Sequence, residues 1–293
     1  MEFYTLDLNF HTSDVIATYA FKSDDGIILI DPGPHSTHEH LVQALKNAGL
    51  EPEEVNHVLL THIHFDHAGD AWAWAKQGAQ VYVHPAGYKH MLDPERLWNS
   101  AAQIYGDQME ALWGKMEPID EQLLHQPEDR QTLDIGGLSF GCHYTPGHAK
   151  HHIAYAIEDK VFSGDVAGVR IKNGPAQPPT PPPDIDLEAW DASIARLREI
   201  APKALYPTHF GEVDSVEAHL EQLQTSLHQW AQWIKQRLDA GESTGEMMQP
   251  FTEMVHKQLT DAGCDDALIE KYNWANPAFM QVAGLVRYWK KRG

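Results

Sequence analysis

The chain has 293 residues, 42% hydrophobic and 22% charged, with 21 Gly and 18 Pro; this excludes collagenous, coiled-coil and unfolded readings and leaves room for one large domain, or one with a small appendage. Against 22 basic residues stand 42 acidic ones, a net charge of −20, so a phosphate backbone would be repelled and nucleic acid is not an expected partner. Two cysteines, Cys142 and Cys264, supply neither a disulfide framework nor a CxxC pair, and the start MEFYTLDLNFHTSD has no export signal, nor does any window approach about 18 apolar residues, so the expectation is a cytoplasmic protein without a membrane span.

The first sixty residues read as short strands, with apolar runs at 15–21 and 26–30, the second ending in the turn signal Asp31-Pro32-Gly33-Pro34. Leu41, Val42, Leu45 and Leu50 recur at near-helical spacing, and 55–60 supplies a short buried strand. A second helix is expected over 68–76, closed by Gly78, and a strand over 80–83. Residues 85–129 then turn helical, with Trp98, Tyr105, Met109, Trp113 and Met116 among polar residues, and look inserted between two strands. Strands return at 131–135, 138–145, 153–157 and 161–162, with Gly136-Gly137 and Glu158-Asp159 as turns, a pattern of antiparallel hairpins. Six prolines in 174–183 exclude a helix and favour an extended surface segment. A helix over 186–200 and a strand over 204–206 follow, and everything beyond Asp214 is helical, with a break at 241–245. Two series of strands followed by helices fit two sheets faced by helices. The expected organisation is a catalytic domain over 1–212, interrupted by the insertion at 85–129, and a helical extension over 213–293 that packs on the domain or on a second copy in a homodimer.

Nineteen histidines, nearly as many as all Lys and Arg, make metal binding the first question. Directly after the strand at 55–60 comes Thr-His62-Ile-His64-Phe-Asp66-His67-Ala-Gly-Asp. His62 and His64, two apart in extended chain, project to one side, while Asp66 and His67 open the next helix, where a carboxylate meets the helix dipole. At this composition chance gives H-x-H-x-D-H roughly 0.006 times in the chain, so the motif is not an accident of histidine content. Thr145-Pro-Gly-His148, Ser163-Gly-Asp165 and Pro207-Thr-His209 each end a strand or turn with a further ligand type. His62, His64 and His148 then make one set for a divalent metal, Asp66, His67 and His209 a second, and Asp165 is a carboxylate able to bridge them.

H-x-H-x-D-H, then His148, Asp165 and His209, resembles the signature of the metallo-β-lactamase superfamily, with its glyoxalase II-like dinuclear branch nearest and the subfamily unassigned. The resemblance spans residues 1 to about 212. It implies an α/β fold, a four-layer αββα sandwich with metals at one edge, and it implies hydrolysis. Asp165 stands where true β-lactamases of this fold carry a Cys or another non-bridging arrangement, which points away from antibiotic degradation. Gly168 replaces the Tyr that acyl-homoserine lactonases place three residues after the bridging Asp. The Thr-Pro-Gly-His148 turn is similar to that of glyoxalase II, but Val166-Ala-Gly-Val-Arg170 replaces its Gly-Cys-Gly-Arg stretch. His64 stands where flavodiiron proteins carry Glu.

The expected mechanism has two divalent metals, zinc first with manganese or iron as alternatives, sharing a water whose pKa they lower toward neutrality. That nucleophile would attack the carbonyl of an ester, thioester or lactone in a small-molecule substrate, with Asp66 as a ligand that also orients it or receives its proton. Asp31, His151, His152 and Arg170 are candidates for substrate contact or for support of the ligands, and Tyr105 and Trp113 for an apolar wall in an insertion that caps the site or packs at an interface. A mononuclear iron oxygenase of the persulfide-dioxygenase kind, using His62, His148 and Asp165, and a phosphodiesterase or nuclease are the alternatives.

Overall fold

The computed structural model describes Met1–Arg292; Gly293, the last residue of the expected helical extension, lies outside the described residues. The described residues divide into two compact units, one of Met1–Tyr144 and His151–Glu158, the other of Thr145–Lys150 and Asp159 onward. The strands form two sheets.

The first unit opens with β1 (Phe3–Asp7), β2 (Ala17–Ser23) and β3 (Gly26–Ile30), an antiparallel meander. Here α1 (His38–Asn47) leads to β4 (Val55–Leu59), which pairs parallel to β3; α2 (Phe65–Ala68) and α3 (Ala71–Ala75) lead to β5 (Gln80–Tyr82), parallel to β4. The insertion supplies α4 (Pro85–Leu92), α5 (Glu95–Tyr105) and α6 (Met109–Trp113), but it is not helical throughout. Leu124–His125 forms β6, which joins β5 in parallel and completes a sheet in the order β1 to β6. Two residues are too few to show a strand period, and what recruits them is the open edge of β5. β7 (Thr132–Ile135), β8 (Leu138–Tyr144) and β9 (Ile153–Ile157) form antiparallel hairpins. Within this unit Phe21 of β2 meets Phe140 of β8 edge to face at 5.2 Å, and both are fully buried, so β2 and β8 face one another across an apolar core.

In the second unit β10 (Lys160–Phe162) and β11 (Ala204–Tyr206) pair in parallel, not as a hairpin, because α7 (Leu187–Ile200) carries the chain back between them. Four helices follow: α8 (Val216–Asp239), α9 (Thr244–Asp261), α10 (Asp266–Ala275) and α11 (Ala278–Lys290). Ser243 and Glu246 form a capping box that starts α9 after the break at Gly241. The apolar stripes of these helices, among them Leu223, Leu227, Trp230, Phe251, Leu259, Val282 and Leu285, are fully or nearly fully buried. None of the described helices is long and apolar enough to cross a membrane.

Candidate metal centre

In the first unit the parallel register sets the site. Ile30 pairs with Leu59, and the Asp31 N–H continues the ladder to the Leu59 carbonyl at 3.1 Å, so β3 and β4 end side by side. Residues that leave parallel strands at their carboxyl ends face a common crevice. Asp31, fully buried in a left-handed conformation at φ 52°, accepts from the Thr61 N–H (2.8 Å) and from the Thr61 hydroxyl (2.7 Å). The Nδ1–H of His67 donates to the same carboxylate at 2.7 Å. Each contact fixes a tautomer: His67 is left with Nε2 as its lone-pair nitrogen, and the Thr61 hydroxyl, already donating to Asp31, accepts from His62 Nδ1 at 3.1 Å, which likewise leaves His62 its Nε2. His62 Nε2 lies 2.9 Å from His64 Nδ1, and the His62 and His67 rings are 3.9 Å apart. Asp66 Oδ2 is 3.7 Å from His67 Nε2.

The Ile153 N–H donates to the Thr61 carbonyl at 2.7 Å, which carries the preceding His151 and His152 alongside. The buried His152 ring stacks on His62 at 5.1 Å, and His151 Nδ1 accepts from the Ile63 N–H at 3.4 Å. Phe65, between His64 and Asp66, meets Trp98 edge to face at 5.8 Å and stacks with Trp113 at 6.3 Å. Tyr105 contacts Trp113 at 5.2 Å; burial and the nearby Asp66 carboxylate push its phenol above the ordinary tyrosine range, so it stays protonated. Trp113 is itself buried, stacked on Phe10 at 5.6 Å.

The second unit repeats the device. Phe162 pairs with Tyr206, and the Ser163 N–H donates to the Tyr206 carbonyl at 3.1 Å, so Asp165 and His209 follow neighbouring strand ends. His209 Nε2 is 3.7 Å from Asp165 Oδ1, and His148 Nε2 is 3.4 Å from Asp165 Oδ2. His148 Nδ1–H donates to the Pro179 carbonyl at 2.8 Å, again leaving Nε2 for other use. The turn before His148 depends on Gly147: φ is 136°, and a Cβ there would lie 2.4 Å from Trp190 Cα. Trp190 meets the His148 ring edge to face at 5.7 Å and donates its indole N–H to the Val166 carbonyl at 2.8 Å. The Arg170 backbone brackets His209, donating to its carbonyl at 2.6 Å, but the guanidinium reaches out to Ser215 Oγ at 3.5 Å.

The donor chemistry fits divalent metal ions. Ligands about 2.0 to 2.1 Å from a shared tetrahedral ion stand roughly 3.3 Å or a little more from one another, whereas a hydrogen bond between the same atoms would be nearer 2.8 Å. The Nε2-to-carboxylate separations, 3.7 Å in the first unit and 3.4 and 3.7 Å in the second, have the ligand spacing, not that of a hydrogen bond. The buried Cys142 thiol, pushed up to about 12 by its apolar surroundings, is no competitor as nucleophile or ligand.

The sequence carried little signal for Thr61 and none for the Pro179 carbonyl or Trp190. A hydroxyl beside a histidine motif was the one cue available, and a backbone acceptor brought from 31 residues away leaves none.

The metallo-beta-lactamase superfamily model matches residues 12–209, and the chain belongs to that superfamily, which is largely one of metallo-hydrolases. The metallo-beta-lactamase fold-containing protein ST1585 of Sulfurisphaera tokodaii is 31% identical over 220 residues, 72% of this chain and 80% of that protein. Its solved structure superposes with a TM-score of 0.62 over 75% of this chain and 85% of that one, at 27% identity. The hydroxyacylglutathione hydrolase of Shewanella halifaxensis is 28% identical over 152 residues, 51% of this chain and 46% of that protein. In fold alone, a metallo-beta-lactamase family protein of Thermus thermophilus, TTHA1429, matches with a TM-score of 0.72 at 19% identity, over 99% of this chain and 94% of that one. That match takes in the C-terminal helices, which the family model does not reach.

Proposed function

We propose that the protein is a hydrolase that holds two divalent metal ions, zinc by preference, and cleaves an ester, thioester or lactone bond in a small molecule. The observation that carries this reading is the spacing of His67, His148 and His209 from carboxylate oxygens, at ligand separation and with two of the imidazoles held in a defined tautomer from behind. His62, His64 and His148 would hold one ion, Asp66, His67 and His209 the other, with Asp165 shared. When bound, such a pair supplies Lewis acidity and a water acidified toward neutral pH. The chain's own residues do the rest. Asp66 takes the proton of the attacking water. Tyr105, kept neutral beside Asp66, is a donor for oxygen charge that develops on the substrate. Trp98 and the half-exposed face of α5, a helix that buries none of its residues, give an apolar wall for the acyl group. The thioester arm draws support from the similarity to a hydroxyacylglutathione hydrolase, and the net charge of −20 favours a small molecule over nucleic acid.

The test is elemental analysis of protein purified without added metal, paired with a panel of ester, thioester, lactone and phosphodiester substrates. Two ions per chain with turnover of one of the first three classes is the expected result. A single iron per chain with no second ion after metal addition, or turnover of phosphodiesters alone, would overturn it.

A further inference from the structure

The first unit contains a second convergence of imidazoles on a carboxylate that the proposed hydrolysis does not use. Asp70 is fully buried. Its Oδ1 accepts a hydrogen bond from His35 Nδ1 at 2.6 Å, and its Oδ2 accepts from His38 Nδ1 and from the Trp74 indole N–H, each at 2.8 Å; these are hydrogen-bond separations, which an ion would open to the roughly 3.3 Å of shared ligands. One backbone bond, Asp70 N–H to the Gly33 carbonyl at 2.9 Å, holds the carboxylate beneath the turn that carries both histidines. His35 and His38 are three residues apart across the start of α1, the spacing that brings side chains to one helix face. Tryptophans then fix the rings: Trp72 lies 4.6 Å from His35 and Trp74 5.3 Å from His38. The ligand atoms of all three residues lie within 4.8 Å of one another.

We propose that His35, His38 and Asp70 bind one divalent transition-metal ion of the zinc class, at a site separate from the H-x-H-x-D-H motif, with solvent completing the coordination. Two imidazole nitrogens and one carboxylate oxygen are the donor set of open zinc sites. A carboxylate with no solvent contact needs a compensating cation or several donors, and here two of its three donors, His35 and His38, are themselves metal-ligand types. The histidine side chains keep 26% and 20% of their exposure, while Asp70 keeps none, so an ion has a way in and a fixed anchor beneath it. On binding, an ion would replace the two Nδ1-to-carboxylate hydrogen bonds, each ring giving its Nδ1 lone pair to the metal and carrying its N–H on Nε2, with any displaced proton passing to solvent and the Trp74 bond to Asp70 persisting as the outer support. No electron transfer or bond cleavage is involved. The ion would tie the start of α1 to the segment three residues beyond His67.

Metal-stripped wild type and the His35→Gln, His38→Gln double variant are titrated with Zn2+ against a chromophoric chelator. Wild type should take up one equivalent more than the variant, and the variant should lose only the part of the zinc-induced rise in Tm that this equivalent supplies. The difference between the proteins does not depend on how many ions the H-x-H-x-D-H motif takes, so a failure of the hydrolase reading leaves the outcome legible. A second measurement needs no variant: Co2+-soaked crystals of wild type should give an anomalous peak about 2.0 to 2.2 Å from both Nδ1 atoms and an Asp70 oxygen. Equal stoichiometry in the two proteins, or an anomalous map with no peak between these residues, would reduce the cluster to a hydrogen-bonded triad and overturn the proposal.

Discussion

The two oxygens of Asp31 hold Thr61 and His67 and so set which nitrogen two imidazoles present, and in the proposed centre Asp31 would act on metal affinity without facing the ions. Asp31→Asn keeps the size but puts an amide where the carboxylate accepted, and zinc affinity should fall by about 10 to 100-fold, the range found for such outer contacts; chelator competition measures it. Asp165→Ala removes the carboxylate common to His148 and His209; metal content should drop toward zero and hydrolysis to background, and activity near wild type would remove Asp165 from the shared position. His219 gives a pH prediction of definite sign. Its Nε2–H donates to the Ala167 carbonyl at 2.7 Å, its buried Nδ1 has no acceptor among the described residues, and burial, with a small contribution from Arg170, lowers its pKa from 6.5 to about 4. Between those values the unfolded chain binds the proton and the folded one does not, so this contribution is complete above about pH 6.5 and is lost as pH falls toward 4. Its share of the stability change from pH 7 to pH 5 is about 2 kcal/mol. His219→Gln, which keeps the bond to Ala167, should show that much less acid destabilisation than wild type in urea melts at the two pH values.

Among the elements, the insertion divides into core and wall. Met91, Met109, Trp113 and Ile119 are buried, whereas α5 leaves Leu97, Trp98 and Tyr105 half-buried and Ile104 exposed. Trp113→Ala should therefore cost stability, about 3 to 5 kcal/mol as for other large core truncations. Trp98→Ala should instead change the ranking of acyl substrates by about 1 to 3 kcal/mol in relative kcat/KM, with metal content unchanged; equal losses on every substrate would make Trp98 core as well. The sequence distinguished the two poorly because both carry aromatic residues at helical spacing, and exposure is a property of what lies opposite. Strands with Val, Ile and Leu runs, such as 26–30 and 55–60, were legible because burial on both faces demands continuous apolar residues. So were the histidines and aspartates at the strand ends, which the H-x-H-x-D-H motif directly after a strand marks in the sequence. Two local features were not. The helix expected over 68–76 breaks into α2 and α3 at Gly69-Asp70, where the Asp70 N–H leaves the helical ladder for Gly33, and the parallel pairing of β10 with β11 depends on where α7 returns the chain. Both are set by contacts distant in sequence.

At the scale of the molecule, the C-terminal helices support the segment that orients His148. Residues 174–183 are extended and rich in proline, which offers carbonyls but few N–H donors, and within the second unit the helices satisfy them. Tyr272 donates to the Pro175 carbonyl at 2.8 Å, Gln222 accepts from the Ala176 N–H at 2.9 Å, Gln281 accepts from the Thr180 N–H and, at 2.8 Å, from its hydroxyl, and Arg287 reaches the Pro183 carbonyl at 3.3 Å. Thr180 directly follows Pro179, whose carbonyl holds His148 Nδ1. Deleting everything after Glu212 therefore removes the partners of this segment together with the fully buried Leu220, Leu223, Leu227, Ile234, Met247, Phe251, Leu259, Val282 and Leu285. Each such side chain contributes about 1.5 to 3 kcal/mol when buried, so nine of them come to about 13 to 27 kcal/mol, as much as or more than the 5 to 15 kcal/mol that holds an ordinary domain together. The truncated chain should accumulate as insoluble protein, or as soluble protein with a broad, low-temperature melt and weakened zinc binding, even though every residue of the H-x-H-x-D-H motif, His148, Asp165 and His209 is still present. Size-exclusion chromatography and thermal melts of the 1–212 chain beside the full one test this. A soluble, sharply melting 1–212 chain that binds zinc as tightly as the parent would show that residues 174–183 hold His148 in place without help from the helices.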